Sequence, residues 1–132
     1  MLRLDVPDDL PLIQADPDLL RQAISNLVGN THKYAANSGD IWIRAQAQEG
    51  PVIISVTDQG TGIPKQEIPR LFEKFFRAKA NRSRRVRGSG LGLAIVKSIA
   101  ERHGGRVWCD SELGEGTTFY ILLPLAGNNG KK

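Results

Sequence analysis

Two glycine loops and one carboxylate are the residues of this chain best placed to do chemistry. Gly88-Ser89-Gly90-Leu91-Gly92-Leu93 follows a basic run and opens an apolar helical pattern, Ala94, Ile95, Val96, Ile99 and Ala100. Glycines at such a junction let backbone come close to a ligand. The free N–H groups and dipole of the helix start favour phosphate. The spacing is neither the dinucleotide fingerprint G-x-G-x-x-G nor a P-loop, which needs G-x-x-x-x-G-K-[ST]. Upstream, Asp58-Gln59-Gly60-Thr61-Gly62 follows the strand-like run Val52 to Val56. A carboxylate there accepts a hydrogen bond from an exocyclic amine such as adenine's, and Gly60 and Gly62 let a flat base lie against backbone. Asp-x-Gly is also a common turn, and both readings of Asp58 stay open at this level.

A third set lies on the first helix. Asn26, Asn30 and Lys33 are spaced i, i+4, i+7 and share one face, roughly 100° round from the apolar stripe of Leu20, Ala23, Ile24, Leu27 and Thr31. Asn oxygens are hard ligands suited to Mg²⁺, which takes few protein ligands and completes its shell with substrate phosphates and water. The alternative is a plain solvated face. Finally, Arg77, Lys79, Arg82, Arg84, Arg85 and Arg87 form a basic run without an acid. It reads either as a solvated loop or, leading into Gly88, as a phosphate or partner contact.

The elements that position these residues follow from periodicity and punctuation. Leu2 to Val6 alternates as a short strand. Asp16 is an N-cap, with Pro17 at the first helical position, and Asn37-Ser38-Gly39 ends that helix. Ile41–Gln48 and Val52–Thr57 flank Glu49-Gly50-Pro51 as a hairpin. Pro64 to Phe72 gives short helical pieces, and residues 76–90 an apolar-poor lid. A helix from about Gly90 to His103 is stopped by Gly104-Gly105. Arg106–Ser111 and Thr117–Leu123 pair around Leu113-Gly114-Glu115-Gly116, and residues 127–132 form a disordered tail. The order predicts an α/β (α+β) two-layer sandwich, a mixed sheet with about three helices on one face. A doubly wound sheet would need βαβ units, which the order lacks.

Composition fits one domain over residues 1–126. The 132 residues are 40% hydrophobic and 24% charged, with net charge +4. No apolar run is long enough to span a bilayer, and no signal peptide is evident. Cys109 is the single cysteine, so the chain cannot form an internal disulfide.

In order, five segments resemble the motifs of the ATP-binding catalytic domain of sensor histidine kinases, within the Bergerat-fold ATPases. Asn26-Leu27-Val28-Gly29-Asn30-Thr31-His32-Lys33-Tyr34 resembles the N box. Asp58-Gln59-Gly60-Thr61-Gly62-Ile63-Pro64 resembles the first glycine box, Leu71-Phe72-Glu73-Lys74-Phe75-Phe76-Arg77 the F box, Gly88 to Leu93 the next glycine box, and Gly114-Glu115-Gly116-Thr117-Thr118-Phe119 the last. Each motif alone is weak, whereas five in order over residues 16–123 are specific.

The resemblance implies roles. Asn30, assisted by Asn26, holds Mg²⁺. Lys33, Arg77 and Arg82 or Arg84 contact phosphates, and Tyr34 lines the nucleotide pocket. Asp58 reads the adenine amine with Thr117 beside it, while Gly60, Gly62 and Ile63 border the base. Gly88, Gly90, Leu91, Gly92 and Leu93 bring backbone to the phosphates. Phe72, Phe75 and Phe76 read as packing residues that anchor the lid. Two positions depart from the family pattern: Arg77-Ala78-Lys79 replaces Arg-x-Asp, and Thr31 replaces alanine.

The implied function is binding of Mg·ATP and supply of the γ-phosphoryl group to a histidine on a separate dimerisation and phosphoacceptor domain, with a response regulator downstream. Neither His32 nor His103 has the flanks of a phosphoacceptor, so the chain reads as a module of a longer two-component kinase. The expected location is cytoplasmic, with no membrane or nucleic-acid contact by the domain itself. An anti-sigma-type serine kinase shares the fold. A self-contained ATPase of the gyrase or chaperone type would need a Glu in the first helix, and residues 16–36 contain none. Nucleic-acid binding by the basic run would call for interleaved aromatics, absent from residues 77–87.

Overall fold

The computed structural model describes residues 2–7, 15–35, 40–47, 50–60, 62–74 and 92–124, with the side chains of 30–35 outside that description. The lid expected over 76–90 and the tail at 127–132 therefore lie outside the described residues. β1 (Leu2–Asp5) leads to α1 (Pro17–Ala35), then β2 (Ile41–Ala47) and β3 (Val52–Asp58). A 3-10 turn (Ile68–Arg70) precedes α2 (Gly92–Arg102), β4 (Arg106–Glu112) and β5 (Gly116–Leu123). The five strands form one sheet in the order β1-β2-β3-β5-β4. β1 runs parallel to β2, and every other pairing is antiparallel. The sheet is mixed, as the order of elements predicts. Among the described residues the helical layer holds α1, α2 and the single 3-10 turn.

Alternation decides the faces. Val52, Ile54 and Val56 of β3 and Phe119, Ile121 and Leu123 of β5 are buried on one face. They meet Ala23 and Leu27 of α1 and Leu93, Val96, Ile99 and Ala100 of α2 in one core. Phe72, from the F-box segment, sets its ring edge against Phe119 at 6.2 Å and 89°, the packing role expected for it. On the opposite face Trp108 stacks on Tyr120 at 4.9 Å. Arg106 lies 4.6 Å over Trp108, and Arg44 4.6 Å over Trp42. These aromatic and aliphatic stems cover the face opposite α1 and α2.

The helix ends follow their sequence signals. Asp16 Oδ1 accepts from the N–H groups of Asp18 (2.9 Å) and Leu19 (3.2 Å), so it caps α1. Gly104 has φ +79° and donates to Glu101 O, while Gly105 donates to Ala100 O, completing a Schellman ending for α2. A Cβ on Gly105 would stand 1.8 Å from Leu122 O, so α2 docks onto β5 only because that position is bare.

His103 joins the two helices. The Asp16 N–H donates to its Nε2 at 2.9 Å, so Nδ1 carries the proton given to Ile99 O at 2.8 Å. The ring thus links the start of α1 to the end of α2 through both of its nitrogens. His103→Ala removes both bonds and should cost about 1–3 kcal/mol in urea unfolding. No loss of stability would show the link to be ornamental.

Candidate functional site

Asp58 ends β3 on the helix-facing side and is 3% exposed. Its Oδ1 accepts the Gly60 N–H at 2.8 Å, which folds the first glycine loop back on the strand end. Its Oδ2 is buried and has no hydrogen-bond partner among the described residues. Buried polar atoms are nearly always paired, so a carboxylate oxygen without a partner among the described residues is a candidate position for a ligand donor. Burial pushes the Asp58 carboxyl above the ordinary carboxylate range, while the backbone N–H groups of Gly60 and Thr117 pull it back. The turn reading of Asp58 is thus met by Oδ1, and Oδ2 is the oxygen on which the ligand reading would rest.

Register builds the rest of the row. Thr117 on β5 lies opposite Asp58, and Ser111 on β4 lies opposite Thr117. Thr117 is 2% exposed. A cavity of about 710 Å³ opens at this end of the sheet. Asp58, Ser111, Gly116 and Thr117 line it, together with Lys65, Glu112 and Glu115. Two glycines permit the close approaches. A Cβ on Gly62 (φ +81°) would stand 2.3 Å from Glu112 O, and one on Gly116 (φ +124°) 2.2 Å from Asp58 O. Ile63, next to Gly62, is buried in the core at 1% exposure, so it anchors the loop instead of presenting itself to a ligand.

On the helical side, Asn26 Nδ2 donates to Gly92 O at 3.4 Å, tying α1 to the first residue of α2. That bond uses the amide nitrogen, and the amide oxygen is a hard donor of the kind that suits Mg²⁺. Leu93 is 8% exposed and belongs to the core. Asn26 and Gly92 lie outside the lining of the cavity at Asp58, so the described residues form two groups, one around Asp58 and one at the α1–α2 junction. The side chains of Asn30, Lys33 and Tyr34 lie outside the described residues, as do Arg77, Arg82, Arg84, Gly88, Gly90 and Leu91 in full. Among the described residues no group of three or more His, Cys, Asp or Glu could hold a metal.

Sequence reasoning missed Ser111. Its signal was present: a hairpin turning at Leu113-Gly114 sets positions 111 and 117 opposite each other.

A carboxylate sunk at a strand end and glycine loops folded against a mixed sheet characterise this α/β sandwich. The family described as histidine kinase-, DNA gyrase B-, and HSP90-like ATPase matches residues 15–127, and the chain belongs to it. The chain is 38% identical over 122 residues to the sensor histidine kinase WalK of Bacillus subtilis, covering 91% of this chain and 20% of that protein. It is 40% identical over 122 residues to the adaptive-response sensory kinase SasA of Synechococcus elongatus, covering 92% and 31%. It thus spans between a fifth and a third of these relatives. Among solved structures, the mycobacterial sensor histidine kinase MprB superposes with TM-score 0.78 at 34% identity, over 95% of this chain and 84% of that one. Full-length ShkA in complex with AMPPNP gives 0.81 at 36% identity, over 95% and 25%. The α/β sandwich is therefore the Bergerat fold of histidine kinase catalytic domains.

The Asp58 carboxyl gives a pH prediction. Its folded value is raised, so ionisation penalises the free fold above that value, and the penalty fades as pH falls toward the unfolded value of about 3.9. A donor from the ligand is held more strongly by the ionised carboxylate than by the protonated one. ATP affinity should therefore fall as pH drops through the raised value, and more steeply than in Asp58→Asn. Calorimetric titrations of both proteins across that range check this, and parallel pH profiles would contradict it.

Proposed function

We propose that this chain is the ATP-binding catalytic domain of a two-component sensor histidine kinase, supplying the γ-phosphoryl group to a histidine on a separate helical domain. The observation that carries the reading is the orphaned Oδ2 of Asp58, buried where the last glycine box crosses the first. Asp58 accepts the adenine amine, with Thr117 beside it and the Gly60–Gly62 loop against the base. Asn26 and Asn30 offer amide oxygens to Mg²⁺, which neutralises phosphate charge when bound. Lys33, Arg77 and Arg82 or Arg84 contact phosphates, Tyr34 lines the pocket, and the backbone from Gly88 to Gly92 cradles the phosphate chain. Catalysis in such a domain is positioning and charge neutralisation, with the nucleophile supplied by the partner.

His103 has both ring nitrogens in hydrogen bonds, which supports an acceptor located elsewhere. The response regulator is served by that acceptor domain, and the expected location is the cytoplasm. Among the described residues no helix is long and apolar enough to cross a membrane.

The experiment joins the chain with Mg·[γ-³²P]ATP and a phosphoacceptor hairpin fused ahead of it. Acid-labile label on the hairpin histidine is expected, and little label on the isolated chain. Acid-stable label would point instead to the serine kinase reading, and phosphate release without protein label to a self-contained ATPase.

A further inference from the structure

The Ser111 hydroxyl makes three contacts that fix the direction of every proton around it. The Ile63 N–H donates to Ser111 Oγ at 2.8 Å. Gly116 O lies 3.0 Å away and can only accept, so the single Ser111 proton goes there. The third contact, to Thr117 Oγ1 at 2.8 Å, must then be made with the Thr117 proton. Thr117 has no other side-chain proton, so its oxygen is left with lone pairs alone. Its neighbour across the sheet, Asp58, lines the same cavity, and the Asp58 Oδ2 has no partner among the described residues.

We propose that Ser111 is a specificity-determining positioning residue: by taking up the Thr117 proton it makes the floor of the base site an acceptor-only surface, and by holding the Ile63 N–H it pins the first glycine loop to the β4–β5 hairpin. The ligand atom that faces these two oxygens must be a donor. An amine at purine position 6 is one, whereas a carbonyl there meets lone pairs from both Thr117 and Asp58. The inference rests on the adenine-reading role proposed for Asp58 and adds that Ser111, which touches no base, sets the second half of the recognition.

Calorimetric dissociation constants of Mg·ATP and Mg·ITP, which bear an amine and a carbonyl at position 6, test this in the whole chain. Wild type should prefer ATP. Ser111→Ala frees the Thr117 proton to turn toward the carbonyl, so the ATP-to-ITP ratio should shrink by about tenfold, the worth of one hydrogen bond. Ser111→Thr restores the hydroxyl and should restore the ratio. A residue with a merely structural role would weaken both nucleotides alike and leave the ratio untouched. Ser111→Cys keeps the volume with a weaker donor and acceptor, so it should fall between wild type and Ser111→Ala, and it decides the matter if Ser111→Ala does not fold. A wild-type ratio in the folded alanine or cysteine variant overturns the role of Ser111. If wild type itself binds ITP as well as ATP, the base reading of Asp58 fails and this inference falls with it.

Discussion

Asparagine at position 58 is expected to weaken ATP binding by roughly 10- to 150-fold, the range for a lost hydrogen bond to a charged group. Nothing else in the described structure satisfies Oδ2, so the loss falls on the ligand. The amide still accepts the Gly60 N–H through its oxygen, which keeps the loop folded. At Oδ2 it offers an NH₂ that can meet a guanine carbonyl, so the gap between ATP and GTP should narrow. Asp58→Ala should weaken ATP as much without any relative gain for GTP. The free protein should respond in the opposite sense. Exchanging a buried, unpartnered charge for a neutral amide relieves desolvation, and a gain on the order of 1 kcal/mol is expected at neutral pH. Thermal unfolding without nucleotide, read beside calorimetry with Mg·ATP, checks both halves. An Asp58→Asn protein that binds ATP normally, or loses stability, would contradict the assignment.

Gly116→Ala is expected to be among the most destabilising single substitutions at the site, costing about 3 kcal/mol or more. Two effects add. The backbone there has φ +124°, a conformation that L side chains rarely adopt, and the new Cβ would stand 2.2 Å from the backbone oxygen of Asp58. Neither contact can relax without moving β3 away from β5. The same shift would disturb the Asp58–Thr117–Ser111 row, so nucleotide binding should fail along with stability. Gly114→Ala is the control. Gly114 has φ +84° in the hairpin turn, but nothing lies within 4 Å of the point where the alanine methyl would sit. Only left-handed strain of about 1–2 kcal/mol remains. Denaturant midpoints of the two variants compare them directly, and equal costs would remove close packing as the reason for glycine at 116.

Much of this was legible in the residues. Alternation in Val52–Asp58 and Gly116–Leu123 specified which face is buried, and Asp16-Pro17 and Gly104-Gly105 marked helix ends because capping is local chemistry. The first and last glycine boxes marked the two turns that meet at the end of β3 and β5. Three features were not legible because they depend on strands and helices meeting across the fold. The parallel pairing of β1 with β2 joins Leu2 to Ile41 and Asp5 to Arg44, residues far apart in sequence. The bond between the Asp16 N–H and His103 needs the α1–α2 packing before it exists. Ser111 looks like an ordinary strand serine until register sets it against Thr117 and loop closure brings the Ile63 N–H to it.

The most direct test of the central claim, that Asp58 reads an adenine base in a nucleotide site, is competition of ATP and GTP against a fluorescent ATP analogue on the wild-type chain with Mg²⁺. A site whose buried acceptor is satisfied by one amine rejects the base that brings a carbonyl to the same place. ATP should displace the analogue efficiently, and GTP only at far higher concentration. Equal displacement by the two nucleotides would contradict the claim, leaving Asp58 a turn residue with an unexplained orphan oxygen.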